Sequence, residues 1–100
     1  MIYHILRSDE WERVREQESY TPETFTQDGF IHLCEAGQME GVIRRYFTGQ
    51  DGLVALCVAV ESLRAPLRYE NVLGGDELFP HLYGPLNLDA VIDVLALHSG

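Results

Sequence analysis

Lysine is absent from this chain of 100 residues, and basic residues are scarce altogether: seven arginines stand against sixteen carboxylates, a formal net charge of −9. Such a chain repels phosphate backbones and anionic headgroups, which excludes general nucleic-acid binding by counterion release and argues against a membrane-surface role. Cysteine is nearly absent too. Cys34 and Cys57 are too few and too far apart for a disulfide framework, and Cys57 lies within an unbroken apolar run, so a reducing cytoplasm is expected. No apolar run approaches the length of a membrane span, and Ile2-Tyr3-His4-Ile5-Leu6 reads as a strand rather than as a leader segment. Repeats, linkers and low-complexity stretches are also missing. What remains is one domain over residues 1–100, 46% hydrophobic, large enough to bury roughly two-thirds of the surface its unfolded chain exposes.

The pattern of apolar residues predicts an α+β domain of two small antiparallel sheets meeting at a cleft, with flanking helices; a single mixed sheet with helices on one face is the alternative. Residues 2–6 read as a strand, and Ser8 or Asp9 can cap a helix through about Glu16, with Glu12 completing a capping box to Asp9. Thr21-Pro22-Glu23 is a second helix-start signal, ended by Asp28-Gly29, with a strand over 30–34. Met39, Val42, Ile43, Tyr46 and Phe47 recur at helical spacing and predict one long helix over 35–47. Leu53 to Val60 contain no polar residue, as expected of a central strand covered on both faces. Further strands are predicted around Leu67 to Val72, bracketed by Pro66 and the Gly74-Gly75 pair, and over 78–83 and 90–97.

Three of the four histidines lie in these apolar segments, leaving His98 in an exposed tail. Strand alternation places His4 with Ile2 and Leu6, His32 with Phe30 and Cys34, and His81 with Phe79 and Tyr83. Any one of them is most simply a partly buried imidazole bonded to a nearby carbonyl. Three together suggest a site. Three imidazoles with an open position can bind zinc, but no pair here has a ligand spacing of i,i+4 or i,i+2, so no metal is expected. Cys34 at a helix start could be a nucleophile, although Glu35 beside it opposes the thiolate. Arg44, Arg45, Arg64 and Arg68 are the candidate anion binders, with pairing to surface carboxylates the simpler reading.

Ile2-Tyr3-His4, Asp28-Gly29-Phe30-Ile31-His32 with Gln38 after it, Arg68-Tyr69-Glu70 and Phe79-Pro80-His81-Leu82-Tyr83-Gly84-Pro85-Leu86 together resemble the bacterial family of unknown function numbered 952. The resemblance implies a fold related to the ADP-ribosyltransferases, whose cleft holds NAD in active members. Locally, Tyr3-His4 and Ile31-His32-Leu33-Cys34 are similar to segments of the RNA 2′-phosphotransferases. Ile5-Leu6 stands where those enzymes have Gly-Thr, and Cys34 where they have serine. Their likeness implies that His4 contacts ribose hydroxyls and that His32 holds the dinucleotide, while the acidic charge argues against RNA as substrate. Ribosyl transfer would want a carboxylate, for which Glu70 or Glu77 is available. The resulting expectation is a nucleotide-type small-molecule site. His4, His32 and Glu70 are its catalytic residues, Tyr3, Phe30, Cys34, His81 and Tyr83 its ligand-binding residues, and NAD its cofactor. The competing expectation is a catalytically silent domain whose cleft binds a small ligand, a protein partner or a second copy of itself.

Overall fold

A computed structural model describes residues 1–71 and 77–97. The apolar run Leu53–Val58 forms strand β4, paired antiparallel on one side with β1 (Ile2–Arg7) and on the other with β8 (Val91–Leu97). Every residue of β4 is buried because both of its faces are covered. Val54, Leu56 and Val58 enter one apolar cluster with Ile2 and Leu6 of β1, whereas Leu53 and Ala55 enter a second with Ile5. Alternation along a strand thus divides the interior in two.

The first cluster is closed by Trp11 of α1 (Ser8–Val14) and by Tyr20, Ile31, Leu33, Leu82 and Leu86. The second is closed by α3 (Met39–Tyr46), which lays Met39, Val42 and Ile43 on the sheet, followed by Phe47. The helix predicted over 35–47 is therefore two pieces: a tight 3₁₀ turn, Ala36–Gln38, and then α3. Glu35 and Gln38 form a reciprocal capping box at that turn. The box expected at Asp9 and Glu12 does not form. Asp9 is held instead by Arg7 at 3.2 Å, and α1 begins without a side-chain cap.

Three sheets are present among the described residues rather than two. Beside β1-β4-β8 lies a second three-stranded antiparallel sheet, β3-β6-β5, of Ile31–His32, Phe79–Leu82 and Leu67–Glu70. Two two-residue strands, β2 (Ser19–Tyr20) and β7 (Leu86–Asn87), make the third. The helix expected from Thr21-Pro22 begins later, as α2 (Phe25–Asp28), because the Pro22 carbonyl accepts the Phe25 N–H in a turn first. Gly29, at φ +79°, ends α2 in the left-handed conformation glycine tolerates, and its N–H returns to the Phe25 carbonyl at 2.8 Å. The strand expected over 30–34 shortens to β3 plus an isolated bridge at Cys34. Val72, the Gly74-Gly75 pair and His98 lie outside the described residues. No helix among those described is long and apolar enough to cross a membrane.

The two three-stranded sheets meet at Tyr3 and Cys34. Each N–H of this pair donates to the other's carbonyl at 2.8 Å. Since β3 also pairs with β6 in a register that sets His32 opposite His81, main-chain pairing alone carries positions 4, 32 and 81 to one place.

Candidate functional site

A cavity of about 420 Å³ opens where β1, the segment 32–34 and α3 converge. Its wall includes Tyr3, His4, His32, Cys34 and His81, five of the eight residues singled out from the sequence. Phe30, Glu70 and Tyr83 do not line it; they form a cluster around His81. The Phe30 ring stacks on the His81 ring at 4.0 Å and tilts against His32 and Tyr83, at 4.7 and 5.4 Å. Glu70 accepts the His81 Nδ1–H at 3.0 Å and the Tyr83 hydroxyl.

The three imidazoles are held in different ways. His4 is buried, and its Nδ1–H donates to the His32 carbonyl at 2.8 Å. A carbonyl can only accept, so the neutral ring carries its proton on Nδ1 and a lone pair on Nε2. Burial pushes the pKa of His4 below the ordinary imidazole value; the bond to the His32 carbonyl and the nearby Glu10 oppose this, and the charge of His32 adds to it. His32 is half-exposed and donates through Nε2 to Asp28 at 2.8 Å. His81 is 1% exposed, and its Nε2 has no hydrogen-bond partner among the described residues.

Other cavity residues were not singled out from the sequence. Glu10 of α1 accepts the hydroxyl of Tyr20, whose ring lies 5.8 Å from that of His4. Burial, and then this hydrogen bond, raise the Tyr20 pKa. Arg7 and Arg45 are exposed residues of the lining, and Tyr46, Phe47 and Phe79 supply aromatic wall. Asp28 had a legible signal, four residues before His32 and next to the glycine that ends α2. Glu10 and Tyr20 had none, since their approach depends on how α1 packs.

Cys34 does not fit the role of nucleophile. It is 2% exposed, and burial pushes its thiol up to about 11, so the thiolate is scarce at neutral pH. The chain continues from it into a short 3₁₀ turn rather than a long helix with a strong dipole. Glu70 is held below the ordinary carboxylate value, first by the Tyr83 hydroxyl and then by His81, so it is an ionised acceptor. Of the candidate anion binders, Arg44 pairs with Glu40 at 3.0 Å and Arg64 with Asp89 at 2.6 Å. Arg68 lies over the Tyr83 ring at 5.4 Å, leaving Arg45 as the one of the four at the cavity. Among the described residues, no three His, Cys, Asp or Glu side chains stand close enough to hold a metal ion.

Residues 5–94 match the family model described as "Protein of unknown function (DUF952)". The chain belongs to this family. Its fold is that of the protein CC0527 from Caulobacter crescentus: the crystal structure is 36% identical, covers 99% of this chain and 87% of its own, and superposes with a TM-score of 0.87. A double-methionine variant of CC0527 gives 35% identity, the same coverage and a TM-score of 0.87. The solution NMR structure gives 36% identity, 99% and 85% coverage and a TM-score of 0.84. No curated protein matches. The relatives establish the family and the mixed α+β fold; the chemistry has to be read from the cavity.

Proposed function

We propose that the cavity binds a nucleotide-type small molecule, with NAD as the candidate cofactor and ADP-ribosyl transfer as the candidate reaction. The observation that carries this reading is the convergence of His4 and His32, from different sheets, on one cavity walled largely by apolar and aromatic side chains. Its volume falls in the range of small-molecule sites, roughly 300–1,000 Å³. His4 is neutral with a fixed tautomer, the state a hydrogen-bond acceptor or general base requires. Arg45 and Arg7, on the exposed side, suit phosphate oxygens.

NAD would supply an activated glycosidic bond whose cleavage builds positive charge on the ribose. The residues present fit it in part. Tyr46, Phe47 and Phe79 offer surfaces for a planar ring, and Glu10 is a carboxylate at the cavity. Glu70 does not touch the cavity and acts only through His81, so Glu10 is the better candidate for facing a ribosyl cation. The kinship with ADP-ribosyltransferase folds rests on the sequence resemblance alone. Two buried free thiols fit a cytoplasmic location.

Calorimetric titration with NAD and ADP-ribose, paired with thermal shift, tests the reading. Binding is expected for the wild type and a loss of about tenfold or more for His32→Ala, since His32 is a half-exposed polar group at the cavity. Absence of heat and of thermal shift with both nucleotides would overturn it, and would favour the silent domain whose cleft binds something else.

A further inference from the structure

One end of the cavity is built from three side chains that three different elements supply: His4 of β1, Glu10 of α1 and Tyr20 of β2. The Tyr20 ring lies 5.8 Å from that of His4, and its hydroxyl donates to Glu10 Oε2. His4 is 8% exposed and commits Nδ1 to the His32 carbonyl at 2.8 Å. Its Nε2 has no hydrogen-bond partner among the described residues, yet it is not closed off. His81 Nε2 is the one side-chain nitrogen or oxygen of those residues that is both sealed from solvent and unpartnered. The small exposure that His4 keeps therefore includes Nε2, and the space that reaches it is the cavity.

Two acceptor positions open at this end. His4 Nε2 is a lone pair, because the carbonyl at Nδ1 fixes the proton there and burial keeps the ring neutral. Glu10 Oε1 is the second, close enough that Glu10 opposes the fall of the His4 pKa. The guanidinium of Arg13 stands 4.0 Å from Oε1, too far for a hydrogen bond, and its side chain is 73% exposed. Other cations of the lining belong elsewhere. Arg7 is held by Asp9 at 3.2 Å, and Arg45 comes from α3, which closes the second apolar cluster, whereas Tyr20 belongs to the first. A carboxylate beside an imidazole lone pair repels an anion and favours a positively charged group with N–H donors. Leu6, Leu33, Val42, Phe47 and Phe79 in the remaining wall suit an apolar body. We propose that the His4–Glu10–Tyr20 end of the cavity is a subsite for a primary ammonium group carried on an apolar or aromatic body, its N–H groups donated to His4 Nε2 and Glu10 Oε1. The subsite rests on the reading of the cavity as a small-molecule site but not on NAD as its ligand. A primary ammonium has three N–H donors and satisfies both acceptors at once, whereas a carboxylate in its place would face Glu10.

Three compounds with one phenyl body provide the test: 2-phenylethylamine, 2-phenylethanol and phenylacetate. Each is titrated by calorimetry into the wild-type protein at pH 7.5, while long-range ¹H–¹⁵N NMR follows the histidine ring nitrogens. In the free protein, His4 is expected to show a protonated Nδ1 and an unprotonated Nε2. The amine should bind at least about tenfold more tightly than the alcohol and move the His4 Nε2 resonance as it accepts a hydrogen bond; phenylacetate should bind most weakly. Glu10→Gln keeps an acceptor for Tyr20 and removes the charge, so it should reduce the preference for amine over alcohol by about tenfold. A protonated His4 Nε2 in the free protein would overturn the proposal. So would an amine that does not bind, phenylacetate binding as tightly as the amine, or an unchanged preference in folded Glu10→Gln. Amine attracted only by the net charge of −9 would leave His4 Nε2 unmoved, and that result too would overturn it. If NAD and ADP-ribose are silent but the amine moves His4 Nε2, the subsite stands and the nucleotide reading falls; if NAD binds and the amine does not, the reverse holds. The titrations use wild-type protein, so a failure of Glu10→Gln to fold does not remove them.

Discussion

Acidification should weaken the fold through His4 before it reaches any carboxylate. His4 is buried and bonded to the His32 carbonyl, and burial holds its folded pKa below the ordinary value of 6.5. In the unfolded chain it titrates near that ordinary value. Below it, the unfolded state binds a proton that the folded state refuses, so stability falls as pH falls. The contribution is fully present above pH 6.5 and is lost downward through the window between 6.5 and the depressed folded value. The loss between pH 7.5 and 5.5 is at most about 1.4 kcal/mol, the limit set by an unfolded imidazole that titrates at its ordinary value. For a urea dependence of about 1–3 kcal/mol per molar, that limit displaces the unfolding midpoint by roughly 0.5–1.4 M. Trp11, the one tryptophan, is buried in the first core cluster and reports unfolding by fluorescence. Because His32 and His81 also titrate in the unfolded chain, the decisive quantity is a difference: His4→Gln should show a midpoint less dependent on pH than the wild type by up to this amount. Equal pH dependence of the two proteins between 7.5 and 5.5 would refute the assignment of His4 as a buried neutral imidazole.

Asn87 is 5% exposed, accepts the Arg64 N–H at 3.1 Å and donates to the Ser62 carbonyl and Asp89 at 2.9 and 2.6 Å; Asn87→Leu strands these groups and should cost about 2–4 kcal/mol by urea denaturation. A Cβ on Gly84 would sit 2.7 Å from Ala65 Cβ, so Gly84→Ala should destabilise by about 1–3 kcal/mol, with Ala65→Gly in the same chain recovering most of it. Cys34 should resist iodoacetamide in the native protein at pH 8 and react in urea, as followed by mass spectrometry; native alkylation at the rate of a free thiol would contradict its burial and raised pKa. His32→Ala should cost under about 1 kcal/mol, because the bond it loses to Asp28 joins two largely exposed side chains.

The strands that could be read in advance are those whose surroundings impose a pattern. Leu53–Val58 announces itself because both of its faces are buried, and the apolar run is the direct record of that. Residues 39–47 announce themselves because one helical face covers a sheet and the other meets solvent. Ser19–Tyr20 and Leu86–Asn87 leave no such record: two residues are too few for an alternation to differ from chance, and the third sheet follows from them. The capping signals failed for a related reason. Asp9 and Glu12 have the spacing of a box, but nothing in the spacing reveals that Arg7 competes for Asp9, whereas Glu35 and Gln38 form a box at a turn read as ordinary helix.

Legibility of the site divides along the same line. The histidine faces are read from strand alternation, and the ring of His4 lies 5.8 Å from that of Tyr20, which shares the first cluster with Ile2 and Leu6. That positions 4, 32 and 81 should meet does not follow from periodicity, because it depends on the Tyr3–Cys34 bridge and on the register that pairs His32 with His81. Both pairings are made by main-chain N–H and carbonyl groups. The scaffold therefore positions the imidazoles without depending on their side-chain bonds. The carboxylates and aromatic ring around them, Asp28, Glu70 and Phe30, fix orientation and tautomer rather than the path of the chain. Among the three imidazoles, substitution should accordingly cost stability in proportion to burial and satisfied bonding, and not to proximity to the cavity. His4, buried with its donor bonded, should cost most; His32, half-exposed, should cost little; His81, buried with one ring nitrogen unpartnered among the described residues, should yield a more stable protein when replaced by leucine. An order of stabilities in which His81→Leu ranks below His32→Ala would show that the Glu70–His81–Tyr83 cluster holds the fold rather than the site.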